Sequence, residues 1–289
     1  SRKYLLFVIL VCHLSGLWGE TVSFQVAYTG DFVMRERLDV RVVSELAEHV
    51  HVRTVEMVPV GRATNGIVDD NYLKTTSGLY PDLLKDLKDG KVIVYSRQWR
   101  SLWVDVDITN EIPAGEYEIE LQLIKEGEVV CSAKQKVTVI GTELPKLDIM
   151  HTEWMHADCL ADYYHVEVFS EEHWKLLENY FQEYVKRDCN MMLTPLFTSP
   201  LDTAIGLERT TCQLIEVKDG EYVFGFEKLK RWIDLCKKCG IEYFEMSHLF
   251  SQWGAKYAPK VVATVNGKKE KIFGWHTPAV GEYTKFLES

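Results

Sequence analysis

The hydrophobic period of this sequence changes once, across GTELPK at residues 141–146, and that change limits the folds open to the chain. Before it, apolar and polar residues alternate with a period of two. After it, short apolar runs give way to polar loops and then to segments with apolar residues at helical spacing. A period of two buries one face of a strand and a period near 3.6 buries one stripe of a helix, so the halves call for different packing. At 289 residues the chain is long enough for two modest domains, each with a core.

The first half reads as strands. TVSFQVAY at residues 21–28 alternates cleanly, and LDVRVV from Leu38, HVHVRTVEMV from His49, KVIVY from Lys91 and SLWVDVDI from Ser101 follow less strictly. Pro113, Ala114 and Gly115 make a turn, and the segment after it reads as two long strands joined at residues 125–128. Many short strands with turn signals predict an antiparallel β-sandwich over residues 17–144. Residues 61–90, with Asn71, Tyr72 and Tyr80, read as a long surface loop. Residues 1–19 carry a basic tip and an apolar run too short to span a bilayer comfortably. That run reads either as a weak secretory signal or as a buried strand, which leaves a cytoplasmic and a secreted location both open.

The second half, residues 145–289, repeats one theme. Residues 147–150 read as a first strand, followed by a polar loop dense in Trp, His, Asp and Tyr. Ser170 is an N-cap for a helix with Trp174, Leu177 and Phe181 on one face; His173 stands where a capping box would need Glu or Gln. NMMLTPLF at residues 190–197 is apolar enough for a strand buried on both faces. A loop, a hairpin turning at Asp219-Gly220 and a helix closed by Gly240 come next. IEYFEMSHLF then makes a third strand, followed by a second hairpin turning at Asn266-Gly267 and the start of a third helix. Three strand-helix alternations predict a parallel sheet. Loops and hairpins that follow strands fit the opening of a (β/α)8 TIM barrel, about its first three units, so either the sheet is open and small or, the preferred reading, the chain holds a truncated barrel.

Charge and composition exclude some partners. A net charge of -10 gives no basic face for nucleic acid, and no membrane span is expected in the folded domains. The seven cysteines cannot all pair. Cys236 and Cys239 form a CxxC inside a helical pattern with no second pair, so neither a metal site nor another cofactor is expected. Strand-end chemistry is richer. Glu153, Trp154, His156 and Asp158 follow the first strand, Asp202 and Arg209 follow the second, and Glu245, Ser247, His248 and Trp253 lie at or after the third. Acids, imidazoles and indoles suit a neutral polyol with apolar ring faces, which describes a sugar. Trp154, His156, Asp158, Asp202, Arg209, Glu245, His248 and Trp253 are therefore the candidate substrate-binding residues. Each also has a structural reading: His156 as a hydrogen-bonded framework residue, His151 and the helix-stripe Trp174 and Trp232 as core. Glycoside cleavage needs carboxyl groups in concert, and no convincing adjacent pair stands at a strand end. Glu171-Glu172 begins a helix and Asp69-Asp70 lies in the first half.

WGETVSFQVAY, PAGEYEIEL, HTEWMHADCLADYYHVEVFSEEHW, NMMLTPLFTSPLDT, FEKLKRWIDLCKKCGIEYFEMSHLFSQWGAKYAP and IFGW together resemble bacterial proteins of glycoside hydrolase family 123. The resemblance covers most of the chain from about residue 17. It implies an N-terminal β-sandwich, a (β/α)8 catalytic barrel, and retaining, substrate-assisted cleavage of β-linked N-acetylgalactosamine by an adjacent Asp-Glu pair on a later strand. That pair has no counterpart here, so the catalytic residues are expected beyond Ser289 and the chain as given is expected to be inactive. The alternative is a non-catalytic carbohydrate-binding protein.

Overall fold

The computed structural model describes the backbone of residues 5–9, and residues 13–31, 33, 35–64, 66, 71–72, 74–146, 148–201, 203–251 and 254–289 in full. The chain divides into two compact units, Ser1–Lys146 and Leu147–Ser289.

The first unit is a β-sandwich. Its strands are β1 (Leu5–Ile9), β2 (Leu14–Trp18), β3 (Thr21–Gly30), β4 (Glu36–Val43), β5 (Val50–Val60), β6 (Gly78–Asp86), β7 (Lys91–Val94), β8 (Arg100–Asp107), β9 (Gly115–Lys125) and β10 (Glu128–Glu143). One sheet runs β1-β3-β8-β5-β6 and the other β2-β10-β9-β4-β7. Period-two alternation turns Leu102, Val104 and Val106 of β8 inward, each fully buried. Val104 and Val106, with Phe24 and Val26, meet Ile119, Leu121, Val137 and Val139 of the facing sheet, while Leu102 packs with Leu38, Val92 and Leu123. Burying each such side chain is worth about 1.5–3 kcal/mol, which fixes the register of both sheets.

The apolar start follows the strand reading, whereas residues 61–90 differ from the loop expected there. The apolar start supplies β1, antiparallel to β3, and β2, parallel to β10. Gly16 is needed where β2 crosses the core edge, because a Cβ there would stand 2.6 Å from Ile108 Cδ1 and 2.7 Å from Val22 Cγ1. The expected loop at residues 61–90 contains the edge strand β6, paired with β5. Pro81 and a run of outward-facing Leu79, Leu83 and Leu84 hid it; the register shifts between Glu56 and Met57, opposite Pro81, where an edge strand tolerates a missing donor. On the outer face of this sheet Asp105 gathers Ser23 Oγ at 2.7 Å, Trp103 Nε1 at 2.7 Å and the Arg53 guanidinium, tying β3, β8 and β5 together.

The second unit is α/β. Helix α1 (Ala157–Tyr164) is followed by α2 (Glu171–Lys186), β11 (Met191–Thr194), β12 (Leu214–Lys218), β13 (Glu221–Gly225), α3 (Glu227–Cys239), β14 (Tyr243–Met246), β15 (Val261–Val265), β16 (Lys268–Phe273) and α4 (Glu282–Glu288). β11 and β14 pair in parallel. Leu177 and Phe181 of α2 and Trp232 and Cys236 of α3 share one core cluster with Met192 of β11, and Phe181 meets Trp232 edge-on at 5.1 Å. Trp174 and Trp232 are core residues, as their helical stripes predict. Cys236 is fully buried, its thiol pushed up by burial, and Cys239 gives its Sγ to the Glu178 carbonyl of α2, so the CxxC is one face of a helix contact.

Ser170 caps α2 as expected, accepting from His173 N at 3.2 Å. His173 also completes the start of the helix in a way its side chain did not advertise. Its Nδ1 accepts from Phe169 N at 2.9 Å while Nε2 reaches Ala157 O at 2.9 Å, so one buried ring holds the helix entry and α1 together. Asp219-Gly220 and Asn266-Gly267 all take positive φ, as two-residue hairpin turns require. Less expected is that the two hairpins join: β12 pairs in parallel with β15, giving a four-stranded sheet β13-β12-β15-β16.

Of the three strands expected in this unit, β11 and β14 are regular and the first is not. Residues 148–156 form no ladder, and α1 occupies what the sequence presents as loop. The Asn190 side chain explains the irregularity. Its Oδ1 accepts from His151 N at 2.8 Å and its Nδ2 donates to Ile149 O at 2.8 Å, so a side-chain amide stands where a neighbouring strand's peptide would. Its main chain donates to His151 O at 3.1 Å and accepts from Glu242 and Tyr243 N at 3.0 Å each. His151 correspondingly sits at the unit's surface rather than in its core, its ring against Asp188 O and Glu153.

Asn190→Ala removes both side-chain bonds and is expected to lower unfolding free energy by about 1–3 kcal/mol. Ser170→Ala is expected to cost about 1 kcal/mol, both read by urea denaturation. Asp105 tests the first unit. Burial pushes its carboxyl up, but the hydrogen bonds from Ser23, Trp103 and Arg53 outweigh burial and hold it below the usual carboxylate range. A lowered folded-state value contributes stability that is present above the unfolded value and lost as pH falls through the folded one. Melting temperature followed below about pH 4 should therefore fall less steeply in Asp105→Asn than in the parent.

Candidate functional site

The ends of β11 and β14 carry the candidate groups. Ser247, just past β14, donates its hydroxyl to Thr194 O at 2.7 Å and accepts from Leu196 N at 2.8 Å. This buried bridge holds the chain leaving β11 against the chain leaving β14. Glu245 and His248 lie on either side of Ser247.

Trp154 reaches this end from the segment that Asn190 anchors. Its indole Nε1 donates to Glu245 Oε2 at 2.9 Å, and its ring meets His248 edge-on at 5.5 Å. The indole is held at one edge by a carboxylate and against one ring by an imidazole, yet Trp154 keeps 40% of its surface exposed. His248 Nδ1 is closed off from solvent and has no hydrogen-bond partner among the described residues. The cluster offers an oriented aromatic face, an acceptor and an imidazole edge.

A second group forms around Arg209. Its Nη1 lies 3.1 Å from Asp158 Oδ2 on α1 and 3.6 Å from Cys159 Sγ, and its Nε 3.4 Å from Thr203 Oγ1. The Arg209 backbone exchanges hydrogen bonds with the Thr198 hydroxyl. Asp158 and Arg209 are 20% and 27% exposed, so this pair fastens the loop after β11 onto α1 more than it faces solvent. His156 heads α1 in extended conformation without capping it through its side chain. Asp202 and Trp253 lie outside the described residues. The structure thus brings Trp154, Glu245 and His248 together, and separately Asp158 and Arg209.

A cavity of about 310 Å³ opens beside the second group. Phe169, the chain after β11, residues 208–215, Lys228 on α3, and β15 with Lys269 line it. Glu208 on its wall is shared by Lys260 Nζ at 3.4 Å and Lys269 Nζ at 2.5 Å. Burial pushes the Glu208 carboxyl up, but the two lysines outweigh burial and hold it below the usual carboxylate range. Sequence reasoning passed over these residues, because Glu208 and Lys260 sit in the loops leading into the hairpins and Lys269 on the second hairpin, and they meet through the β12–β15 pairing and the bridge between Thr198 and Lys260. The available signal was that both hairpins follow strands and carry lysines. Among the described residues no group of His, Cys, Asp and Glu could hold a metal ion, and no helix is long and apolar enough to cross a membrane. The adjacent acids Glu171-Glu172 open α2, where Glu171 is bound in bidentate fashion by Arg231.

Comparison with known proteins agrees with this organisation. Residues 154–289 match the family profile of the glycoside hydrolase 123 catalytic domain. A family 123 glycoside hydrolase from Clostridium perfringens, whose structure was solved to explain glycolipid glycan hydrolysis, superposes with a TM-score of 0.73 at 12% identity. The match covers 100% of this chain and 54% of that one, so the chain spans about half the length of that structure. A β-glucosidase from Listeria innocua with isofagomine and the sporulation control protein Spo0M from Bacillus subtilis each align at 10% identity over 50% of this chain. They cover 17% and 51% of those chains with TM-scores of 0.27 and 0.26, too low to carry an argument. No curated protein sequence matches.

The Asp158–Arg209 contact predicts an energetic coupling. A double-mutant cycle with Asp158→Ala and Arg209→Met, read by chemical denaturation, is expected to give about 1–2 kcal/mol. A value near zero would mark the pair as a solvated contact.

Proposed function

We propose that this chain, whose residues 154–289 match the catalytic-domain profile of glycoside hydrolase family 123, acts on glycans carrying β-linked 2-acetamido sugars of the N-acetylgalactosaminide type. The observation that carries this reading is the Trp154 indole, oriented by Glu245 and His248 yet open to solvent. A pyranose presents an apolar face of C–H groups that packs on such a ring, and its hydroxyls need acceptors and donors at the ring's edge. Glu245 and His248 flank the ring and are proposed to supply them. Asp158 and Arg209 hold the neighbouring loop in place, and His156, Asp202 and Trp253 remain proposed members of the same sugar-binding set.

On this reading β11 and β14 are strands of a (β/α)8 barrel whose first strand is the segment clamped by Asn190, with residues 17–144 as the accompanying sandwich domain. The parallel pairing and the placement of α2 and α3 support that assignment. The reaction is proposed to retain anomeric configuration by two displacements: the 2-acetamido oxygen attacks the anomeric carbon as its bond to the leaving oxygen breaks, one carboxylate orienting the acetamido group and a second carboxyl protonating the leaving oxygen, and water, deprotonated by that second group, then opens the cyclic intermediate. Of the adjacent acids in the sequence, Glu171-Glu172 is committed to the start of α2 and Asp69-Asp70 lies outside the described residues. No carboxylate of this chain is assigned to either role.

An assay of the protein on aryl β-N-acetylgalactosaminides and glucosaminides tests the proposal. Hydrolysis with retention, seen by NMR of the first product, is the expected result. Trp154→Ala should lower kcat/KM by about 10- to 100-fold, the loss of one stacking platform, while melting temperature shifts by about 2 °C or less. Saturable sugar binding with no hydrolysis would assign the protein to non-catalytic carbohydrate binding.

A further inference from the structure

The cavity beside Arg209 carries more positive charge than its own acids balance. Arg209 is matched by Asp158. Lys260 and Lys269 share the single carboxylate of Glu208. Lys228 lies over the Phe169 ring at 5.3 Å and has no acidic partner among the described residues. Two lysine charges are therefore left unmatched around a space of about 310 Å³, in a chain whose net charge is -10. Random placement in so acidic a chain would favour a negative lining. Lys260 is also largely withdrawn from water, its side chain only 16% exposed, so its ammonium gives up hydration that a ligand group can replace. The rest of the wall offers Thr210, Gln213 and Thr264 alongside apolar Val261 and Ala263, a mixture that suits a saccharide.

We propose that this cavity is an anion-accepting glycan subsite, with Lys228, Lys260 and Lys269 receiving a carboxylate or a sulfate ester carried by the bound saccharide. The identity of the ligand as a glycan rests on the function proposed above; the preference for negative charge rests on the cavity alone. A charge-assisted hydrogen bond in a partly dry wall is worth about 1.5–3 kcal/mol, which corresponds to roughly tenfold or more in affinity for each lysine engaged.

Isothermal titration calorimetry on the whole chain tests this with three disaccharides that share a β-linked N-acetylgalactosamine: a neutral one, one with a uronate and one with a sulfate. The expected result is that at least one acidic disaccharide binds about tenfold tighter than the neutral one, that the uronate and sulfate arms show which anion is preferred, and that Lys228→Met or Lys269→Met removes most of the difference. The acidic preference should also shrink when salt is raised from about 50 to 300 mM in the parent protein, a readout that needs no variant to fold. Equal affinities, or a preference untouched by salt and by both substitutions, would overturn the subsite. Binding of acidic but not neutral sugars would support the subsite while removing the neutral-sugar reading of the Trp154 cluster. Neutral binding without preference would leave that reading standing and remove this one, and no binding in any arm would remove both.

Discussion

Asn190 is the residue through which the second unit is assembled. Its side-chain amide and its peptide together bond to residues 149 and 151 on one side and residues 242 and 243 on the other. A four-residue parallel pair such as β11–β14 has little stability of its own, and parallel strands need covering helices and fixed ends. Here α2 and α3 supply the cover, Asn190 fixes the entry to both strands, and Ser247 fixes the exit. Replacing a peptide by an amide side chain has a further effect. The ladder cannot propagate past one residue, so the segment before α1 is tethered without becoming a strand.

That tether decides where the candidate site can form. Trp154 lies three residues beyond His151, on the clamped segment, and its partners Glu245 and His248 lie at the far end of β14. The hydrogen bond from the indole to Glu245 closes a circuit that begins at Asn190, so the orientation of the aromatic face is inherited from a contact at the opposite end of the strands. Arg209 closes a second circuit by joining the loop after β11 to α1, and His173 joins α1 to the start of α2. Polar side chains, each bridging two segments, thus do for the strand-end loops what apolar packing does for the helices.

Much of this was legible in the sequence, for reasons that differ by element. The inward faces of β3, β8, β9 and β10, the stripe on α2 and the glycine-bearing turns are local patterns, and each survives intact in the structure. β6 was not legible because Pro81 and outward leucines break the alternation that marks a strand. α1 was missed because only Ala157, Leu160 and Ala161 face inward and no side chain caps its start. The first barrel-like strand was read as regular because nothing in the sequence reports that Asn190 would spend its side chain on that backbone. In the site, the residue types at the ends of β11 and β14 were readable, and Trp154, Glu245 and His248 do meet. The lysine-lined cavity was not readable, because Glu208 is far in sequence from Lys260 and Lys269 and reaches them only by tertiary contacts, the joining of the two hairpins and the bridge between Thr198 and Lys260.

The union of those insertions has its own consequence. β12 and β15 touch through only two paired positions, Glu216 with Thr264 and Val217 with Val265, yet Phe197, Ile215, Val261, Phe273, Tyr283 and Phe286 form one apolar cluster around them. Neither hairpin has a full core without the other. A change in the length of one alters the footing of its neighbour, so the two hairpins behave mechanically as a single body that bends or shifts as one.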